Sequence, residues 1–89
     1  MIICAAIKDT RTGAVFGGIR HGYIYSAIHD AGITPPHAAA IEGFLDEKNN
    51  FYNRTEAYDI AMTNGQMSAT TRHYKLEKGE RELFSEDLY

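Results

Sequence analysis

Apolar residues in this chain come in short blocks separated by polar turns. Ile2 to Ile7 is an apolar run rich in isoleucine, the pattern of a buried strand. Lys8-Asp9-Thr10-Arg11-Thr12-Gly13 is polar and holds Asp and Gly, which suit the dihedrals of a turn. Ala14 to Arg20 reads as the returning strand, so residues 2–20 predict a hairpin. The spacing then changes. Ile24, Ala27, Ile28 and Ala31 fall at i, i+3, i+4 and i+7, one face of a helix over 22–31, with Gly32 placed to end it. Thr34-Pro35-Pro36-His37 breaks the chain, and Pro36 is placed to open a short helical turn through Ala40.

The second half repeats the order without repeating the sequence. Ile41 to Leu45 predicts a strand, Asp46 to Asn50 a turn, and Phe51-Tyr52 the start of a return strand. Asn53 with Glu56 three residues later has the form of a helix N-cap and its N3 partner, with Thr55 as an alternative cap. Ala57, Ile60 and Ala61 give that helix a small apolar stripe, and Gly65 ends it. Residues 66–82 are polar and weakly patterned and read as a loop or arm. The tail from Leu83 to Tyr89 is apolar at intervals and is expected to dock, on its own domain or on another copy. The fold class expected is α+β: a small antiparallel sheet of two hairpins carrying two α-helices, with an extended C-terminal tail.

At 89 residues the chain is expected to be one domain, residues 1–89, with little core to spare. Cys4 is the only cysteine, so no internal disulfide forms, and no Cys/His group has structural zinc spacing. Self-association is the remaining source of stability for so small a domain. The formal net charge of −3 argues against general affinity for DNA or RNA polymers. The apolar start is interrupted at Lys8, too short for a signal peptide or a membrane span. A reducing cytoplasm is the expected compartment.

Catalytic patterns have no positive support in the sequence. Cys4 lies in an apolar run and is expected to be buried. Ser26, Ser68 and Ser85 lie in no nucleophile elbow, and no phosphate-binding glycine fingerprint occurs. His21, His29, His37 and His73 are scattered, and neither a metal site nor a cofactor is expected. Phe16-Gly17-Gly18-Ile19-Arg20-His21-Gly22-Tyr23 is the most distinctive stretch. Glycines within a strand indicate a bulge or the close approach of another group. Arg20-His21 then falls at a strand-to-helix junction, where free backbone N–H groups favour an anion. Two readings stand: an anion cradle, or a bulge whose arginine pairs with a carboxylate. Asn53-Arg54 at the second helix start and Arg72 in the polar arm add cations. Phe44 beside Gly43 is either core or an exposed ring on which a base stacks.

The chain also resembles a known family. The carrying motifs are GIRH, then EGFLDEKNNFYNRTEAYDIAMTNGQ, then LFSEDLY, spread over most of residues 1–89. They resemble small proteins of bacteriophage genomes, and among these the Thoeris anti-defence protein 1 family. The resemblance implies a non-catalytic sponge that binds glycocyclic ADP-ribose, a signal made by TIR-domain enzymes of host defence, in the cytoplasm of the infected bacterium. It also implies homo-oligomers, dimeric or hexameric, and in some members a separate site for cyclic oligonucleotides. The implied ligand-binding residues are Arg20, His21, Phe44, Asn53, Arg54 and Arg72, with arginines on phosphates and an aromatic under adenine. The chain is short for that family. A small phage protein that binds and inhibits a host protein is the alternative.

Overall fold

A computed structural model describes residues 1–33 and 35–88, so Thr34 in the expected chain break and Tyr89 in the tail lie outside the described residues. Four strands form one antiparallel sheet: β1 (Ile2–Asp9), β2 (Val15–Gly18), β3 (Ala40–Asp46) and β4 (Phe51–Asn53), in the order β2-β1-β3-β4. Three α-helices accompany it: α1 (His21–Asp30), α2 (Arg54–Thr63) and α3 (Ala69–Lys78). Single 3-10 turns occupy His37–Ala39 and Ser85–Asp87. The α+β class and the two hairpins agree with the reading of the sequence. Two details are corrected. The described residues form three α-helices where two were expected, because residues 66–82 hold α3. Cys4 is only half-buried, because it lies on the sheet face away from the core.

Strand pairing decides which side chains share a face. Ala5 sits opposite both Gly18 and Phe44, and Phe44 sits opposite Tyr52. That face therefore carries Ala5, Ile7, Phe16, Phe44 and Tyr52. Ile24 of α1 and Ala57, Tyr58 and Ala61 of α2 join Ala5, Ile7 and Phe44 in one buried cluster with Met67 and Leu83. The opposite face carries Val15 and Ile41, both exposed, and Lys8, Leu45 and Phe51, half-buried.

Each hairpin turn is tied by one aspartate. Asp9 accepts hydrogen bonds from the Arg11 backbone N–H at 2.9 Å and from its guanidinium. Asp46 accepts from the Lys48 and Asn50 N–H groups, both at 2.9 Å, and from the Tyr52 hydroxyl at 3.0 Å. Burial pushes the Asp46 carboxyl up, but the donors from Asn50, Tyr52 and Lys48 outweigh it and hold the pKa at about 2. The free start of β1 is fastened by Gln66, whose side chain accepts from Ile2 N–H at 2.8 Å and donates to Ile2 C=O at 2.7 Å.

Helix caps follow the local sequence. Asn53 and Glu56 form the expected capping box at α2. Ser68 caps α3 by accepting from Thr71 N–H at 3.1 Å, and Gly79 closes it in the left-handed conformation at φ 65°. A polar helix with good caps gives little apolar signal.

Close strand approach makes one glycine indispensable. A Cβ on Gly43 would overlap the Tyr52 carbonyl oxygen and the Phe51 ring. A Cβ on Gly22, in the first turn of α1, would meet nothing within 4 Å. Gly43→Ala is expected to cost about 3 kcal/mol or more in urea unfolding. Gly22→Ala is expected to stabilise by about 0.5–1 kcal/mol through the unfolded chain. Equal effects from the two substitutions would contradict this packing.

Candidate functional site

His21 opens α1 and is buried. Its Nε2 lies 2.8 Å from the Gly43 carbonyl oxygen. A carbonyl only accepts, so Nε2 carries the proton. The ring meets Phe44 edge-on, with centroids 5.2 Å apart and an interplanar angle of 88°. Burial is the main cause that lowers the His21 pKa; the Gly43 hydrogen bond opposes it, and the Arg54 charge lowers it further. His21 thus works as a neutral strut between α1 and β3. Phe44 is fully buried, so of its two readings the ring takes the core one, with no face open to a base.

Arg54, the first residue of α2, ties the tail to the sheet. Its guanidinium donates to the Leu83 carbonyl at 2.7 Å and pairs with the Glu42 carboxylate of β3. The Arg54 carbonyl accepts from Leu83 N–H at 3.0 Å. Glu42 also accepts from the Tyr25 hydroxyl at 3.3 Å, which links α1 to the same group. Its carboxylate raises the Tyr25 pKa, after the larger effect of burial.

Lys75 of α3 makes the second tail contact. Its ammonium lies 2.9 Å from Asp87, 3.2 Å from Glu80 and 2.8 Å from the Glu82 carbonyl. The side chain is 3% exposed. Burial alone would lower its pKa, but the two carboxylates outweigh that and raise it, so the group stays charged. The Phe84 ring has two cations beside it, Arg54 at 4.6 Å and Lys75 at 4.9 Å from its centroid. The tail is therefore packed on its own domain, with Leu83 fully buried.

Of the six residues singled out in the sequence, four meet at this corner. Arg20, His21 and Arg54 share electrostatic neighbours: His21 feels Arg54, and both arginines lower the Glu86 pKa, after a larger effect from a backbone hydrogen bond. Phe44 lies beneath His21. Arg20 is the N-cap residue of α1 without a side-chain cap bond, and its Nη1 stands 3.7 Å from Glu86. Asn53 lies next to Arg54 and is engaged in its capping box. Arg72 lies exposed on α3, one turn before Lys75. Lys75, Glu42 and Asp87 belong to the same corner and were not singled out in the sequence, and Phe84 lies in the tail that was expected to dock. The one local signal for Lys75 was a lysine followed by acidic residues close to the tail.

Two measurements check this construction. Lys75→Ala leaves Asp87 partly buried without its cation and is expected to cost about 3 kcal/mol in urea unfolding. Hydrogen exchange at Leu83 and Phe84 should rise with it. For His21 the folded pKa lies below the unfolded value near 6.5. Its contribution is complete above that value, and stability falls as pH drops below it, since the unfolded state binds the proton first. The stability loss between pH 7 and pH 5 should shrink in His21→Gln, and an unchanged slope would remove His21 as its source.

Among the described residues, no helix is long and apolar enough to cross a membrane, and no group of three metal-ligating side chains converges. Residues 1–89 match the family model described as phage T4 y16D protein. No curated protein and no solved structure matches the chain. This small α+β chain, whose tail is held by Arg54 and Lys75, belongs to the phage T4 y16D protein family.

Proposed function

We propose that the protein binds a small phosphorylated nucleotide signal of the glycocyclic ADP-ribose type and sequesters it without degrading it. The observation that carries this reading is the setting of Arg20. Its side chain is 36% exposed and stands 3.7 Å from the exposed Glu86 carboxylate, which a phosphate would have to displace, at the amino end of a helix whose first turn holds no acidic residue. Gly22 beside it leaves open space where a side chain would stand. Such a helix end favours phosphate oxygens, and an arginine reaches them in bidentate fashion. Membership in a phage family and the resemblance to the Thoeris anti-defence protein 1 family give the reading its biological setting, the cytoplasm of an infected bacterium. Arg72 and Asn53, both exposed, are the further candidates for contact, and Arg54 acts through its hold on the tail. Cyclic oligonucleotides are a second ligand class in this reading. Self-association through the open sheet face around Val15 and Ile41 is its assembly.

A sponge needs affinity alone, with no preference for a transition state. One charge-assisted bond from arginine to phosphate is worth about 1.5–3 kcal/mol. A protein that inhibits a host protein is the second reading, favoured by the same exposed sheet face.

Calorimetric titration with glycocyclic ADP-ribose tests the first reading. Wild-type protein should bind at micromolar concentration and release the intact compound on heating. Arg20→Ala should weaken binding about tenfold to a hundredfold with the fold retained. No binding at that concentration sinks the reading for this ligand, and a degraded product replaces it with an enzyme. A stoichiometric host protein recovered by pull-down, with no bound nucleotide, favours the second reading.

A further inference from the structure

The asparagines of the chain are Asn49, Asn50, Asn53 and Asn64, and Asn64 alone is followed by glycine. It is the C-cap residue of α2, and Gly65 after it takes the left-handed conformation at φ 64°. Gly65 N–H donates to the Met62 carbonyl at 3.2 Å and Gln66 N–H to the Ala61 carbonyl at 2.9 Å, the paired bonds that close a helix end. Gln66 is also the residue whose side chain fastens the start of β1 at Ile2. One exposed turn therefore joins the end of α2 to the free end of the sheet.

An asparagine side chain before glycine is open to attack by its own backbone. The Gly65 nitrogen loses its proton to hydroxide and bonds to the Asn64 side-chain carbonyl carbon. The Cγ–Nδ2 bond breaks, Nδ2 takes a proton from water, and ammonia leaves behind a cyclic imide. Water then opens the imide at either carbonyl. One opening gives aspartate; the other gives isoaspartate, in which the backbone runs through the former side chain and is longer by a carbon. A side chain on residue 65 would crowd the attack, whereas Gly65 has none and the place of its Cβ has nothing within 4 Å. The other three asparagines are followed by Asn50, Phe51 and Arg54. In the closed turn the Asn64 ψ is 3° and Nδ2 donates to the Ile60 carbonyl at 2.9 Å, so the turn must open before the reacting atoms meet. Helix ends open at little cost. Here Asn64 and Gly65 are both exposed, and no basic side chain in the last turn of α2 holds its carbonyls.

We propose that Asn64 is a site of spontaneous deamidation, and that isoaspartate formed there releases the hold of Gln66 on β1. The added backbone carbon falls between the last turn of α2 and Gln66. It draws the Gly65 and Gln66 N–H groups out of register with their carbonyls, and the Gln66 side chain moves with them. That side chain bonds Ile2 on two sides, at 2.8 Å and 2.7 Å, and hydrogen bonds tolerate little displacement. The rate rises with pH, because the attacking nitrogen must first lose its proton. The modification site does not depend on the nucleotide reading.

The test ages the full chain in mildly alkaline and in mildly acidic buffer. Trypsin, cutting after Lys48, Arg54 and Arg72, separates Asn64 from the other three asparagines. The peptide 55–72 should gain the mass of an NH2-to-OH exchange, sooner in alkaline buffer and ahead of the peptide 49–54, with isoaspartate identified by fragmentation. The modified chain is isolated by anion exchange on its added negative charge. Its Ile2 amide and Gln66 side-chain NH2 resonances should leave their native positions, and exchange at Ile2 N–H should quicken about tenfold. Asn64→Gln should age without these changes, and Asn64→Asp, which adds the charge but no backbone carbon, should keep the native resonances. The wild-type chain before and after ageing decides the matter where a variant fails to fold. Asn64 still intact when the same chain in urea has reacted overturns the proposal, as does earlier reaction within 49–54. Unmoved Ile2 and Gln66 resonances in the isoaspartyl chain overturn the release, and so does an equal loss in Asn64→Asp or in aged Asn64→Gln.

Discussion

Phe44 is the point on which the fold converges. It is fully buried, opposite Ala5 in β1 and Tyr52 in β4, with the His21 ring edge-on to it. The neighbouring Gly43 lets β4 approach and offers its carbonyl to His21. One dipeptide in β3 thus fixes the second hairpin and the start of α1 together. Close-packed interiors tolerate little change of volume at such a point.

Because the helices supply one face of the sheet with its core, the buried apolar cluster is small, and polar clamps complete the structure. Gln66 stands in for a missing strand at Ile2. Arg54 and Lys75 hold Leu83 to Asp87 through carbonyls, carboxylates and one aromatic ring. Their cations are compensated by Glu42, Glu80 and Asp87. Arg54 and Lys75 therefore serve the fold first. Arg20 differs in being more exposed and in lying at a helix start without a side-chain cap bond.

The open sheet face and the β2 edge are places where the fold leaves apolar side chains and backbone groups uncovered. Val15 borders both, since its side chain lies on the uncovered face and its backbone on the open edge. A small chain that leaves apolar surface in water gains by covering it.

Much of the architecture was legible along the chain. Both hairpins, α1 and the capping box of α2 rest on local rules: alternation, helical spacing, turn residues and a side chain that returns to its own backbone. The helix over 69–78 was not legible, although Ser68 and Gly79 mark its ends. Its large apolar residues Tyr74 and Leu76 are 55% and 64% exposed, while its buried residue is Lys75. Burial of a lysine is settled by carboxylates five and twelve residues further on, which no period of 3.6 reports. The roles of His21, Phe44 and Arg54 were equally hidden, since each is fixed by β3 or the tail across long stretches of chain. The sequence by itself determined which segments become strands and helices, because those preferences are local. Tertiary structure alone decided which cations are held by the fold and which edge remains open, because burial and pairing depend on what folds back against them.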